Sequence, residues 1–408
     1  LKNKGIAVTA AGSLISLVLG ILYAWSILKV AIEESIKAGT GFNWEISSLN
    51  DPYSVALLAF AFTMIVSGKT QDKLGPRITT FIGVFLVTGG LLLSALSTDY
   101  VVWIIGYGIM TGMGIGFGYA AITPVAIKWF PPQKTGLITG IVVSGFGLAS
   151  VYIAPLYTYL IGKYGISGAL VIFAVGFFVI SFISTLFLKN PSDDYIRNIN
   201  QTASNSSVKR IDDGISTGKM LRSPSFYVLW FVYFAGAGAG LMVIGFLTEM
   251  VKKGLGESAF IAVAILAVGN AGGRLVAGWI SDKIGRIKTL LILYSAQALL
   301  MFISVPVSMN DSPGVVIPLL LATLIGFNYG SNLALFPSLS KDKWGLKNFG
   351  INYGLLFTSW GLGGFILSRV SQMIKASTGT FEYSFYLAGI LLVVSGVTLA
   401  LQLRVDKN

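Results

Sequence analysis

The chain contains no cysteine and no histidine. The first absence excludes disulfides, thiol nucleophiles and cysteine-bound metals. The second removes the usual acid–base side chain at neutral pH and the commonest metal ligand, so no metal site is expected. Charge is scarce too: Asp, Glu, Lys and Arg make up 11% of 408 residues, whereas 54% are hydrophobic. No carboxylate pair stands beside a nucleophile, and neither a P-loop nor a dinucleotide fingerprint occurs, so an enzyme is not expected and no cofactor is implied. The run Gly112-x-Gly114-x-Gly116 has the spelling of a phosphate loop, but inside an apolar segment such glycines let helices pack closely.

What is present is a series of long apolar segments. About twelve runs of roughly 20–28 residues are each long enough to cross a bilayer. They lie near 6–32, 50–68, 77–96, 100–127, 135–161, 167–188, 225–250, 258–280, 287–308, 314–338, 348–374 and 382–403. Lys2 and Lys4 precede the first run and no cleavage-like end follows it, so this span is expected to be retained. One long polar stretch, 189–222, divides the chain into six spans at 1–188 and six at 223–408. The expectation is an all-α integral membrane protein with a polar linker between its halves.

The net charge of +12 would suit a nucleic-acid partner in a soluble protein. Here the basic residues sit in loops between spans, so the bilayer is the expected partner and nucleic acid is not. Lys69, Lys73, Arg77, Lys128, Lys134, Lys283, Arg286, Lys288, Lys341, Lys343, Lys347 and the linker cations fall on one side. The other side has Lys29, Lys37, Lys163 and few more. The excess predicts that both termini and the linker are cytoplasmic.

The halves repeat. Gly68-x-x-x-Asp72-Lys73-x-Gly75-Pro76-Arg77 recurs as Gly278-x-x-x-Asp282-Lys283-x-Gly285-Arg286, about 210 positions on. At the same offset Gly116-Phe117-x-Tyr119 matches Gly326-Phe327-x-Tyr329, and a few residues further offset Gly136-x-x-x-Gly140 matches Gly350-x-x-x-Gly354. Parallel repeats about an axis along the membrane normal predict a cavity between the halves. In the repeated loops the acid and its basic neighbours can hydrogen-bond across helix ends and latch one gate state.

Arg274 lies well inside the eighth span. A cation at that depth costs at least about 2.5–3.5 kcal/mol, so it faces a polar cavity or a partner. Asn270 shares its helical face one turn earlier, and no acid lies within a few turns in the same span. The partner is therefore expected to be the ligand, and guanidinium matches carboxylate in bidentate geometry. The repeat mate of Arg274 is Met64, so the shared scaffold does not require an arginine there.

The duplicated loop, set in twelve spans with a central linker, resembles the signature of the major facilitator superfamily, and the likeness covers essentially the whole chain. Gly20-Ile-Leu-Tyr23-Ala24-Trp25-Ser26, Asn270-x-x-x-Arg274 and Leu335-Phe336-Pro337-Ser338 are similar to the oxalate:formate antiporter family, a neighbour of the monocarboxylate transporters. The resemblance implies two pseudo-symmetric six-helix bundles and a substrate-binding arginine at Arg274. It also implies that Tyr23, and the mates Tyr119 and Tyr329, line the cavity. The eleventh span adds Tyr353, Phe357, Ser359 and Trp360 as candidate walls. The oxalate antiporter carries a lysine where Trp360 stands, so a single cation remains and a monocarboxylate is expected rather than oxalate. Animal monocarboxylate transporters carry an aspartate where Asn270 stands, so the proton carrier is unassigned. Asp51, Glu33, Glu34, Glu249 and Glu257 remain near outer helix ends, and Asp51 before Pro52 reads as a helix cap.

Taking a monoanion into a cell negative by ~100 mV costs about 2.3 kcal/mol, roughly a 40-fold exclusion. The expected activity is alternating-access transport of lactate- or pyruvate-like monocarboxylates across the cell membrane, coupled to protons and performed by a monomer. The rivals are an oxalate/formate-type exchanger and a non-transporting membrane receptor.

Overall fold

The computed structural model describes residues 2–202, 214–255, 260–309, 314 and 316–405. Among them there are helices and no strands. Eight continuous helices are long and apolar enough to cross a membrane. Two of these, Asp51–Ala95 and Pro132–Phe187, hold two spans each, because the chain reverses at Gly75 (φ 81°) and Gly165 (φ 71°). Only glycine adopts such angles freely, and Pro76 then fixes the first turn of the next span. Two further helices, Phe260–Ile284 and Phe349–Thr378, complete the twelve.

We label the spans in order: α1 (2–37), α2 (51–74), α3 (76–95), α4 (100–127), α5 (135–164) and α6 (166–187). The second half has α7 (Pro224–Leu255), α8 (Phe260–Ile284), α9 (Arg286–Met309), α10 (Val316–Trp344), α11 (Phe349–Thr378) and α12 (Glu382–Val405). Two spans are irregular. α1 tightens to a 3₁₀ turn at Gly20–Ala24, and α4 is π-helical over Ile104–Thr111. Within the halves α4 packs on the α2–α3 pair, α10 on α8, and α9 on α12.

The halves meet along two crossings, α2 on α11 and α5 on α8. Both run on small residues. A Cβ built on Gly350 would lie 2.3 Å from the Gly68 carbonyl oxygen, one on Gly354 2.3 Å from that of Met64, and one on Gly361 2.2 Å from the Ala61 Cβ. The other crossing repeats this: Gly278 against the Gly136 carbonyl at 2.3 Å, Gly140 against that of Arg274 at 2.3 Å, and Gly147 against the Ala271 nitrogen at 3.3 Å. The glycines matched by the repeat are thus the points where helix backbones touch, which no larger residue allows.

The polar stretch read as a plain linker contains two short helices, Asp193–Thr202 and Thr217–Leu221. The Tyr195 ring sits 5.2 Å from that of Trp129, whose indole donates to the Lys189 carbonyl at 2.8 Å. At the far end the Ile215 amide donates to the Trp344 carbonyl at 2.8 Å. The side-chain amides of Asn348 and Asn352 donate to the Ile215 carbonyl at 3.3 and 3.2 Å. We call the side of the molecule that carries this stretch the linker face.

Candidate functional site

The site is built around one buried cation. Arg274 is fully buried, placed midway along α8 by a helix thinned at Gly272 and Gly273. Its Nε donates to Asn270 Oδ1 at 3.0 Å, the same-face contact expected one turn away. Nη1 donates to the Val143 carbonyl of α5. Nη2 has no hydrogen-bond partner. The guanidinium carbon lies 5.9 Å from the Phe146 ring centroid, a cation–π contact. Among the described residues no carboxylate comes within ion-pair distance of it. A buried guanidinium left with a free donor is costly, and it is the kind of group an anion satisfies.

Aromatic rings wall the space beside it. Tyr119 of α4 packs edge-on against Phe60 at 5.5 Å and Phe146 at 5.7 Å, and its buried hydroxyl has no partner. Tyr329 of α10, its repeat mate, is also buried, and its hydroxyl accepts from the Trp360 indole at 3.1 Å. Tyr23, on the 3₁₀ turn of α1, reaches across to Tyr329 with hydroxyls 3.3 Å apart, a bond between the two halves. Phe357 stacks on Trp360 at 4.9 Å, and both lie against Phe60, at 5.1 and 5.3 Å. Tyr353 packs edge-on to Phe357 at 5.7 Å. The structure thus gathers Arg274, Asn270, Tyr23, Tyr119, Tyr329, Tyr353, Phe357 and Trp360 into one cage. Ser359 is buried in α11 and donates to the Leu356 carbonyl of its own helix at 2.6 Å. Of the cage side chains Tyr23 alone is partly exposed.

Three contributors were not anticipated. Phe60 and Phe146 join both halves of the cage, but an aromatic residue inside an apolar span carries no signal of its own. The Val143 carbonyl is a backbone group with no side-chain signature at all.

The repeated loops occupy the linker face. Asp72, in the last turn of α2, accepts from the Gly350 and Ile351 amides of α11 at 3.0 and 3.1 Å. Asp282, in the last turn of α8, accepts from the Gly136 and Leu137 amides of α5 at 2.9 and 2.8 Å. These amides belong to the unsatisfied first turns of their helices, where the dipole also favours an anion. Each half therefore caps a helix of the other. Gly68 and Gly278 bring the backbones close enough for the short carboxylates to reach.

The basic residues of the loops are not equivalent. Arg286 braces Asp282 at 2.6 Å and reaches Asp342 at 3.0 Å. Arg77 instead donates to the Leu186 and Leu188 carbonyls at the end of α6, at 2.6 and 2.8 Å. The reason is register. Pro76 is inserted after Gly75, so Arg77 stands one residue further along its helix than Arg286 and points about 100° away. Lys73 and Lys283 are exposed, and Lys283 lies over the Trp279 ring at 3.6 Å.

The outer acids do not enter the cage. Asp51 is the first residue of α2 and accepts from the Tyr100 hydroxyl at 2.7 Å, while Glu33 pairs with Lys37 at 2.7 Å. Glu257 and the side chain of Glu249 lie outside the described residues.

Comparison with known proteins agrees with this architecture. The family model of the Major Facilitator Superfamily matches residues 8–368. The chain is 27% identical over 363 residues to the uncharacterized MFS-type transporter YhjX of Escherichia coli (strain K12), covering 87% of this chain and 85% of that protein. It is 24% identical to the oxalate:formate antiporter of Oxalobacter formigenes, over 88% of this chain and 82% of that one. It is also 24% identical to monocarboxylate transporter 13 of Rattus norvegicus, over 85% and 78%. In fold it superposes on the proton:xylose symporter XylE with a TM-score of 0.77 at 16% identity, covering 97% of this chain and 95% of that one.

Proposed function

We propose that this chain, which belongs to the major facilitator superfamily, carries small monocarboxylates of the lactate and pyruvate kind across the cell membrane. It is a membrane transporter and not an enzyme. The observation that carries the substrate class is Arg274: fully buried, unpaired with any described acid and holding a free Nη2, while Tyr119, whose hydroxyl is also free, packs on the same Phe146 ring. One cation balances one carboxylate. Trp360 and Phe357 leave an apolar wall for a short tail. The names of the oxalate:formate antiporter and the monocarboxylate transporter support an organic anion.

Asp72 and Asp282 act as latches, holding the linker face shut while the ligand reaches the cage. Carboxylate binding neutralises Arg274, and the halves then rock about the loaded site. Both termini and the linker face the cytoplasm, and a single copy contains the complete cage. Uptake against the membrane potential is driven by a co-transported proton. A second reading is exchange for an internal anion, favoured by the lack of any carboxylate among the cage residues described above.

The test is uptake of labelled L-lactate by the reconstituted protein under an inward proton gradient, beside Arg274→Gln. The expected result is uptake that collapses with the gradient and with the substitution. Equal uptake by the folded Arg274→Gln protein would sink the role of Arg274. Uptake that needs internal anion and ignores the gradient would establish exchange in place of symport.

A further inference from the structure

Arg274 belongs to the second half, yet much of what holds it belongs to the first. Its carbonyl lies beneath Gly140. Its Nη1 donates to the Val143 carbonyl, and its charge faces the Phe146 ring. Met64, the repeat mate, makes the same backbone crossing under Gly354 but has no side-chain donor. The α5–α8 crossing therefore has a polar side-chain tie at this level that the α2–α11 crossing lacks.

The geometry of the ligand bears on that tie. A carboxylate bound bidentately spans two guanidinium nitrogens, either Nη1 with Nη2 or Nε with Nη2. Nη2 is free, but Nη1 and Nε are already held by neutral acceptors. Nε carries one N–H and Nη1 two, so side-on docking displaces Asn270, whereas end-on docking draws the guanidinium toward the carboxylate and sets it in competition with the Val143 carbonyl for Nη1. Giving up Asn270 changes nothing between the halves, because it lies in the same helix. Giving up Val143 unties them. A charged acceptor makes a bond about twice as strong as a neutral one, so the exchange at Nη1 runs toward the ligand.

We propose that Arg274 is a clasp between the halves as well as the anion receptor: it ties α8 to the Val143 carbonyl of α5 when the cage is empty and transfers that bond to the substrate carboxylate on loading. This rests on the monocarboxylate reading for its second step only. Substrate then does more than neutralise the site. It removes a bond that keeps the α5–α8 seam closed, and the linker-face contacts of Asp282 and of Lys341, which donates to Thr135 Oγ1 at 2.5 Å, are left to hold that side.

Cysteine pairs can be introduced without background, since the chain has none. Lys134→Cys and Ile284→Cys place spin labels at exposed positions at the linker-face ends of α5 and α8. Distance distributions are measured by pulsed dipolar spectroscopy in the labelled parent and in its Arg274→Gln variant, with and without L-lactate, and lactate binding is followed by calorimetry. The expected result has two parts. Without ligand, Arg274→Gln populates the longer distances at least threefold more than the parent. With lactate the parent shifts the same way and the variant does not.

A variant distribution identical to the parent's would overturn the clasp. Lactate binding to the parent without any shift would overturn the transfer. Absence of lactate binding would overturn the substrate reading and the transfer with it, while the ligand-free comparison still decides the clasp. Should Arg274→Gln fail to fold, Arg274→Lys keeps the charge with one donor nitrogen in place of three, and the same ligand-free shift is expected.

Discussion

Replacing Gly68 by alanine should open the linker face without touching a charged group. A Cβ at Gly68 would stand 2.1 Å from the Gly350 carbonyl oxygen, 2.2 Å from its carbon and 2.8 Å from the Ile351 nitrogen. All three are backbone atoms, so no side chain can swing aside. Restoring ordinary contact requires α2 and α11 to part by about 1 Å. The Asp72 carboxylate now accepts at 3.0 and 3.1 Å, and the added separation carries both bonds past their useful range of about 3.2 Å. The loss is one charged cap, about 0.5–2 kcal/mol. At 1.4 kcal/mol per decade this raises the open population by roughly 2- to 30-fold. Labels at Lys69→Cys and Lys347→Cys, both exposed and on opposite sides of the seam, would report it as a growth of long distances. Gly272→Ala is the control, because a Cβ there meets nothing within 4 Å. A Gly68→Ala distribution matching that control would refute the reasoning, since the close approach would then not be what keeps the face shut.

The two latches should differ in strength. Asp72→Asn and Asp282→Asn each keep one acceptor for the helix-end amides and lose the charge there, about 0.3–1 kcal/mol, but Asp282→Asn also removes one of the two acids on buried Arg286, which retains Asp342 at 3.0 Å; thermal unfolding should place Asp282→Asn below Asp72→Asn, and equal midpoints would contradict the asymmetry. Tyr119→Phe removes a hydroxyl that has no partner in the empty cage, so stability should hold while the apparent affinity for L-lactate falls by roughly 10- to 100-fold, the worth of one hydrogen bond to a charged group. Tyr329→Phe should behave in the opposite way first, lowering the melting midpoint, because it strands the Trp360 indole N–H at about 1–3 kcal/mol. Trp360→Lys restores a second cation beside Arg274, and counterflow of labelled oxalate should appear as lactate uptake declines; oxalate transport that stays absent would remove Trp360 from the control of substrate charge.

Much of this molecule was legible before any coordinates. Hydropathy gave the spans, because every backbone group in a bilayer must be paired within its own helix. Arg274 stood out because a cation is costly where it lies. The repeat pointed to Gly68, Gly136, Gly140, Gly278, Gly350 and Gly354, and these turned out to be the contact points of the two crossings. What was not legible falls into four physical kinds. Phe60 and Phe146 are apolar residues in apolar helices, so periodicity is silent about which of them meets a ligand. The Val143 carbonyl and the helix-end amides under Asp72 and Asp282 are backbone groups, identical in every residue. The linker's fastening at Ile215 rests on two asparagine side chains that reach a main-chain oxygen. The unlike roles of Arg77 and Arg286 belong to a fourth kind. The cause, one inserted proline, was visible in the sequence, but its effect required the helices to be placed.

The exchanged caps bear on how such a molecule could arise. The end of α2 caps α11, and its copy at the end of α8 caps α5, the mate of α11. Undo the duplication, and both contacts become a single one made twice: two identical six-helix subunits, each closing the other's fifth helix about a two-fold axis. In such a dimer every substitution would count double, so an arginine at the position of Arg274 would place two cations at one interface. A single chain lifts the constraint: one half holds Met64 and the other Arg274, and one loop sets its arginine on the acid while the other turns it away. The asymmetry that leaves one buried cation opposite a methionine is available to a chain that contains both halves of its own symmetry.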